Sequence, residues 1–183
     1  MKEVNLILGR FQPLTNGHLR CVEDIWNEYN RPTVIAMIDT PESKLDEKHP
    51  FPSSILLNIY KDLFKNDKRI EDIVLVKNAD IVKNAEILRG LGYEIHSWSC
   101  GSDRYKSYSD MSIKYKDRAK LPDDFKCIEI KRSDEDISAT KVRQALKNDD
   151  FKTFSSLTPY STLQSMMKGN RVYNELKEWI NKI

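Results

Sequence analysis

The hydrophobic positions along the chain form short apolar runs that alternate with amphipathic segments. Runs such as "TVIAMI" and "DIVLV" are apolar at successive positions, which is typical of strands buried on both faces of a parallel sheet. Five runs predict strands: Val4–Leu8, Thr33–Ile38, Asp72–Val76, Ile95–Ser99 and Cys127–Lys131. Because strands alternate with helical patterns, we expect an α/β fold with a doubly wound, parallel five-stranded sheet.

The segments between and after these strands carry apolar residues at helical spacing. They predict helices over His18–Tyr29, Ser54–Lys65, Asp80–Gly90, Asp103–Arg118, Ser138–Asn148, Phe151–Leu157 and Tyr160–Ile183. We expect a single domain over residues 1–183, with an α/β core at 1–149 and a helical C-terminal tail at 150–183. The polar, proline-rich segment Asp39–Pro52 predicts a mobile loop.

Composition narrows the possible functions. The 30 basic and 28 acidic residues leave a net charge of +2, so no general affinity for nucleic acid is expected. No apolar run approaches the roughly 20 residues that cross a bilayer, and we expect no membrane partner. The three cysteines form no CxxC pair and no metal-ligand cluster with the three histidines. The simplest expectation is a cytoplasmic protein.

The stretch "LILGRFQPLTNGHLR" joins the first predicted strand to the first helix. Gly9 allows a ligand to approach the backbone closely, and Thr15 or Asn16 can cap the helix. A helix N-terminus favours phosphate, and His18 on the first turn can donate a hydrogen bond to a phosphoryl oxygen. An ordinary strand–turn–helix corner with an exposed histidine explains the same pattern equally well.

"GRFQPLTNGH" resembles the (H/T)xGH signature of the nucleotidyltransferase superfamily. "GRFQP" is similar to the opening of nicotinamide-nucleotide adenylyltransferases, and "TNGH" to phosphopantetheine adenylyltransferases, which carry threonine at the same place. The chain also resembles compact phage-encoded members of this TxGH kind. The resemblance implies a Rossmann-like fold in which Gly9, Arg10, Phe11, Gly17 and His18 bind ATP. Thr15 replaces a second histidine, and its hydroxyl can donate a hydrogen bond without carrying charge.

A second stretch, "ISATKVR", resembles the ISSTxxR motif of the same superfamily. Ser138 can cap a helix, Thr140 lies in its first turn, and Arg143 can pair with phosphate oxygens through its planar fork. Alone, this stretch is better explained as an ordinary capped helix with solvated cations. Its position after the last strand, in the order of the superfamily motifs, makes ATP binding the better interpretation.

A third stretch, "SWSCGSDRYK", resembles the G-x-D-R segment that follows the fourth strand in the superfamily. Gly101 permits close approach, Asp103 can cap a helix or contact a ribose hydroxyl, and Arg104 can face the triphosphate. Trp98 is a candidate for stacking on the acceptor, although a tryptophan in a buried strand more often belongs to the core. Lys44 or Lys48 lies in the loop where related enzymes hold a lysine near the acceptor phosphate.

The resemblance implies attack by an acceptor phosphate on the α-phosphorus of ATP, with pyrophosphate leaving. We expect His18, Arg143 and Thr15 to be catalytic, Mg²⁺ to accompany ATP, and no dedicated metal site in the protein. Nicotinamide mononucleotide (NMN), giving NAD, is the first candidate acceptor. The tryptophan-bearing acceptor motif has no clear counterpart in "VKNADIVKNAEIL". A homo-oligomer is expected from relatives alone.

Several alternatives stay open at this point. The enzyme could be a cytidylyltransferase, or an adenylyltransferase for a phosphopantetheine-like acceptor or a sugar or alcohol phosphate. A sensor that binds nucleotide without turnover is a further candidate. A fragment of a class I aminoacyl-tRNA synthetase is disfavoured because "DMSIK" only faintly resembles KMSKS. A nucleic-acid-binding module using "DRYKSYSDMSIKYKDR" is disfavoured by the near-neutral net charge.

Overall fold

The computed structural model describes residues 1–131, 139–162 and 166–183, without the side chains of residues 162–169. Within these ranges the strands are β1 (Lys2–Gly9), β2 (Thr33–Ile38), β3 (Ile70–Val76), β4 (Tyr93–Gly101) and β5 (Lys126–Ile130). The helices are α1 (Asn16–Tyr29), α2 (Ser53–Phe64), α3 (Ile81–Gly90), α4 (Ser102–Lys114), α5 (Ala139–Lys147), α6 (Phe151–Leu157) and α7 (Met166–Ile180). Short 3-10 turns form at Glu42–Lys44 and Tyr160–Thr162.

The five strands form one sheet in the order β3-β2-β1-β4-β5, and every neighbouring pair is parallel. The predicted parallel, Rossmann-like α/β fold is therefore confirmed. The strand order reverses at β1, which pairs with both β2 and β4. In sheets of this kind ligands bind beyond the carboxyl ends of the strands at such a reversal. Gly9 and Gly101 are the last residues of β1 and β4.

Several predicted helix limits differ from the observed ones, most of all in α4 and α7. Helix α4 ends at Lys114 rather than Arg118, since Tyr115 has left helical geometry at φ −109° and ψ 16°. The predicted continuous helix over Tyr160–Ile183 begins instead as a 3-10 turn, and α7 starts at Met166. Tyr160 is fully buried and makes a tertiary hydrogen bond, so long-range packing overrides the local helical pattern here.

Contacts divide the chain into two compact units that interleave along the sequence. The first contains residues 1–9, 20–38 and 67–131, which include the whole sheet. The second contains residues 10–19 and 39–66 and the C-terminal segment 132–183. The predicted division into a 1–149 core and a 150–183 tail stays a prediction. No helix among the described residues is long and apolar enough to cross a membrane.

A buried polar network ties three neighbouring strands of the first unit together. The Asn5 amide on β1 donates to Thr33 Oγ1 at 3.0 Å and to Ser99 Oγ at 2.8 Å. Its Oδ1 accepts a hydrogen bond from Ser97 Oγ at 2.8 Å. All four side chains are buried, and the amide is paired at both of its polar atoms. This network fixes the position of β1 between β2 and β4.

Candidate active site

The second unit contains the loop that follows β1 and the first turn of α1. Thr15 is the residue before the helix, and its carbonyl accepts the Leu19 N–H at 3.1 Å. Helix α1 consequently begins at Asn16, two residues before the predicted start at His18. The positive end of the helix dipole lies at this loop, which favours an anionic ligand.

His18 is held at the start of α1 by the backbone of Thr15. The Thr15 N–H donates to His18 Nδ1 at 3.0 Å, and Thr15 Oγ1 lies 3.2 Å from the same nitrogen. The Phe11 ring meets the imidazole edge-on at a centroid distance of 5.0 Å. Since Nδ1 accepts a backbone N–H, the hydrogen-bond network assigns the proton of the neutral ring to Nε2. His18 can therefore donate from Nε2.

Arg143 on α5 reaches the same loop. Its Nη1 donates to the Gln12 carbonyl at 2.8 Å, and its Nη2 donates to Thr140 Oγ1 at 3.2 Å. Burial lowers the pKa of this half-buried guanidinium, while the charge of Asp46 raises it. Gln12 lies six residues before His18, so the second unit brings both predicted catalytic side chains to one loop. Between them they supply an imidazole donor and a guanidinium fork.

Arg10 and Lys44 are exposed side chains of the second unit. Arg10 Nη1 donates to the Asp39 carbonyl at 3.2 Å and to Thr40 Oγ1 at 3.1 Å. Lys44 lies on the 3-10 turn. Thr15, by contrast, is fully buried, with its hydroxyl against the imidazole rather than in solvent. The roles of these residues toward ATP or the acceptor stay predictions.

The third predicted stretch lies in the first unit. Gly101 directly precedes α4, and Asp103 and Arg104 are exposed in the first turn of that helix. Trp98 is completely buried and stacks on Tyr108 at a centroid distance of 3.9 Å, which is the packing of a core residue. Its predicted contact with the acceptor stays a prediction, as do the roles of Gly101, Asp103 and Arg104. Ser138 lies outside the described residues.

The sequence interpretation missed three side chains that hold the loop in place, one on the loop itself and two from elsewhere in the second unit. The Gln12 side chain makes a pair of hydrogen bonds with the Phe51 backbone, at 2.8 Å to the carbonyl and 2.9 Å from the N–H. The hydroxyls of Tyr60 and Tyr160 also bond to the loop backbone. A buried tyrosine hydroxyl usually needs a hydrogen-bond partner, which the sequence could have suggested. The local sequence does not indicate which residue that partner is.

Comparison with known proteins identifies the family of this chain. Residues 6–145 match the cytidylyltransferase-like family. Phosphopantetheine adenylyltransferase of Lactobacillus gasseri is 33% identical over 88 residues, which are 45% of this chain and 50% of that protein. The chain thus spans about half the length of that relative.

Two solved structures share the fold. One is nicotinic acid mononucleotide adenylyltransferase of Plasmodium falciparum, complexed with NaAD, which is 16% identical to this chain with a TM-score of 0.59. The match covers 95% of this chain and 98% of the Plasmodium chain. The other is a candidate nicotinate-nucleotide adenylyltransferase from Vibrio parahaemolyticus, which is 14% identical with a TM-score of 0.59. This match covers 98% of this chain and 95% of the Vibrio chain. The resemblance found in the sequence motifs is confirmed.

Proposed function

Since this chain belongs to the cytidylyltransferase-like family, we propose that it is a nucleotidyltransferase that transfers AMP from ATP to a small phosphorylated acceptor. An acceptor phosphate oxygen attacks the α-phosphorus of ATP. The bond from that phosphorus to the bridging oxygen of the β-phosphate breaks, and pyrophosphate leaves. The single observation that carries this proposal is the hydrogen bond from Arg143 to the Gln12 carbonyl, in the loop that precedes His18.

The chemistry needs positioning and charge stabilisation more than proton transfer. A phosphate acceptor is already ionised near neutral pH, so no general base is required. His18 donates from Nε2 to the α-phosphoryl oxygens, where charge grows in the transition state. Arg143 and Thr140 hold the β- and γ-phosphates, and Arg10 guides the entering acceptor phosphate. The buried Thr15 hydroxyl supports the imidazole.

Magnesium belongs to the substrate in this proposal. A triphosphate carries it as a Mg·ATP complex, and it neutralises charge on the leaving pyrophosphate. Within the described ranges, no group of three or more His, Cys, Asp or Glu side chains is arranged as a metal site. The protein groups that act on the triphosphate are the imidazole, the guanidinium and the helix terminus described above.

Adenylyl transfer is favoured over cytidylyl transfer by the "GRFQP" opening. The relatives from Lactobacillus gasseri and Plasmodium falciparum, which are both adenylyltransferases, favour it as well. NMN, giving NAD, is the first acceptor we propose. A phosphopantetheine-like acceptor is the second candidate, because Thr15 and the Lactobacillus gasseri relative both favour it. The site acts in the cytoplasm on small molecules.

The proposal is tested by measuring pyrophosphate release with each of the four nucleoside triphosphates and a panel of acceptor phosphates. We expect release with ATP and one acceptor, and much slower release in His18→Ala. Faster release with CTP would overturn the choice of ATP. Nucleotide binding without release, unchanged in His18→Ala, would instead identify a sensor.

A further inference from the structure

Two buried tyrosine hydroxyls hold the backbone of the loop ahead of His18. Tyr60 Oη on α2 donates to the Phe11 carbonyl at 2.7 Å and accepts the Leu14 N–H at 2.8 Å. Tyr160 Oη donates to the Leu14 carbonyl at 2.8 Å. Both rings are completely buried, at 0% and 1% exposed. Both polar atoms of the Leu14 backbone are therefore bonded to side chains from distant parts of the chain.

The loop conformation depends on such support. Phe11 adopts a φ of 50°, a left-handed conformation that a residue with a large side chain rarely takes unaided. Burial also raises the pKa of both phenols, so the hydroxyls stay protonated and can donate. The two tyrosines thus hold a backbone segment in a conformation it would not otherwise favour.

The next residue connects this clamp to the imidazole. Thr15 follows Leu14, and its N–H is the donor to His18 Nδ1 at 3.0 Å. A shift of the Leu14 backbone therefore moves the hydrogen bond that sets the orientation and tautomer of His18. We propose that Tyr60 and Tyr160 are positioning residues that orient the His18 imidazole toward the reacting phosphate, a role that rests on the function proposed above.

The proposal also gives a role to the C-terminal segment. Tyr160 lies on the 3-10 turn that follows α6, and the Asn16 side chain donates to the Ser156 carbonyl of α6 at 3.2 Å. The segment predicted as a tail thus contacts both the loop and the first residue of α1. Within the second unit, residues far apart in sequence support one catalytic loop.

The test is a double-mutant cycle in the full-length chain. We expect Tyr60→Phe and Tyr160→Phe each to lower kcat roughly ten- to a hundredfold, with less than about a twofold change in KM for ATP, because misplacement of a catalytic group costs rate. In a His18→Ala background the same substitutions should change kcat by less than about twofold, since the residue they orient is gone. Tyr173→Phe is the matched control.

The control removes a hydroxyl from a buried tyrosine of the same unit that bonds to Asp149 Oδ1 at 2.5 Å rather than to the loop. It should leave kcat unchanged in both backgrounds. Equal losses of kcat in the wild-type and His18→Ala backgrounds would overturn the proposal, because a merely structural defect is indifferent to His18. The cycle can be completed if only one of the two variants, Tyr60→Phe or Tyr160→Phe, folds.

A second measurement does not depend on turnover. The chain has three histidines, and comparison with His18→Ala assigns the His18 signals in a nitrogen-15 NMR spectrum. We expect one tautomer, protonated at Nε2, in the wild type and a mixture in either Phe variant. An unchanged His18 spectrum in both variants would overturn the positioning role. Absence of pyrophosphate release by the wild type would overturn the proposed function alone and leave this measurement decisive.

Discussion

At the residue scale, His18 has an observed structural contact and a proposed chemical role. Its Nδ1 accepts the N–H of Thr15, one of the backbone donors at the start of α1. This bond fixes the ring and assigns the donor proton to Nε2. An imidazole in this position can stabilise charge on a phosphoryl group without changing its own protonation state.

Replacing His18 tests this role. We expect His18→Ala to lower kcat by about 10²–10³-fold, the loss typical of removing one preorganised transition-state donor, with little change in KM. Steady-state pyrophosphate release measures both constants. His49→Ala is the control, because His49 lies in the segment 39–52 rather than in the loop ahead of His18, and bonds to Asp46 at 3.1 Å. Comparable activity of His18→Ala and the control would contradict the assignment.

Arg143 is expected to depend on its planar fork as well as its charge. Arg143→Lys keeps the charge but replaces the planar fork, whose two terminal nitrogens bond to the Gln12 carbonyl and Thr140 Oγ1, with a single nitrogen. We expect KM for ATP to rise roughly tenfold, the effect of losing one charge-assisted hydrogen bond. The exposed Arg171 provides the control substitution, Arg171→Lys. An unchanged KM in Arg143→Lys would refute the phosphate contact.

Sequence motifs identified the residues with distinctive chemistry but not those that support them. His18 and Arg143 could be proposed as site residues because both belong to recognisable patterns. Tyr60 and Tyr160 could not, since their bonds to Leu14 span 46 and 146 residues. Such partners are decided by tertiary packing, which leaves no local sequence signal.

At the scale of elements, β1 depends on a polar side chain inside an otherwise apolar sheet. Asn5 connects β1 to β2 and β4 through hydrogen bonds that remain satisfied only while the register is kept. A shift of register would leave several buried polar groups without partners, which is costly. This network therefore specifies the strand alignment that ends β1 at Gly9.

Removing the amide should destabilise the sheet. We expect Asn5→Ala to reduce the free energy of unfolding by about 2–4 kcal/mol, since it removes three buried side-chain hydrogen bonds that join β1 to β2 and β4. Urea unfolding measures the change. Asn27→Ala, an exposed position on α1, is the matched control and should change stability by less than about 0.5 kcal/mol. Equal stability of both variants would show that the network contributes nothing.

Periodicity predicted the elements well where local signals are strong. All five strands were found from their apolar runs, and β2 has the predicted limits Thr33–Ile38. Asp80 marks the start of α3, where its carboxylate accepts the N–H groups of Val82 and Lys83. The errors lie at helix ends such as Tyr115 and Tyr160, where tertiary contacts or backbone geometry decide the limit.

At the scale of the whole molecule, the tyrosines with raised pKa values predict how the stability of the fold changes at alkaline pH. Burial raises the pKa of Tyr60 and Tyr160, and burial together with nearby carboxylates raises that of Tyr93 and Tyr173 to about 12. Tyrosines in the unfolded chain lose their protons near pH 10. The unfolded state then binds fewer protons than the folded state, so stability falls as pH rises.

We therefore expect the free energy of unfolding to be insensitive to these groups below about pH 10 and to fall between about pH 10 and 12. Urea unfolding at a series of pH values, with phenolate absorbance, measures this dependence. Tyr60→Phe should reduce the slope, whereas Tyr29→Phe at an exposed position should not. A slope that is the same in all three proteins would contradict the role of the buried phenols.

The sequence did not predict that each of the two units combines segments that are distant along the chain. Hydrophobic patterning assigns elements one after another and favours contiguous segments, such as a core followed by a tail. The second unit combines residues 10–19 and 39–66 with the C-terminal segment. Contacts between such distant segments follow from packing, and so the hydrogen bond from Tyr160 to the loop ahead of His18 could not be anticipated.

The central claim is that His18 and Arg143 act on one triphosphate whose α-phosphorus is attacked. Following phosphorus-32 from ATP labelled separately at the α- and γ-positions, with the acceptor that supports turnover, tests this claim most directly. We predict that α-label enters the product and that γ-label leaves in pyrophosphate. Transfer of γ-label to the acceptor, or release of γ-label as inorganic phosphate alone, would contradict it.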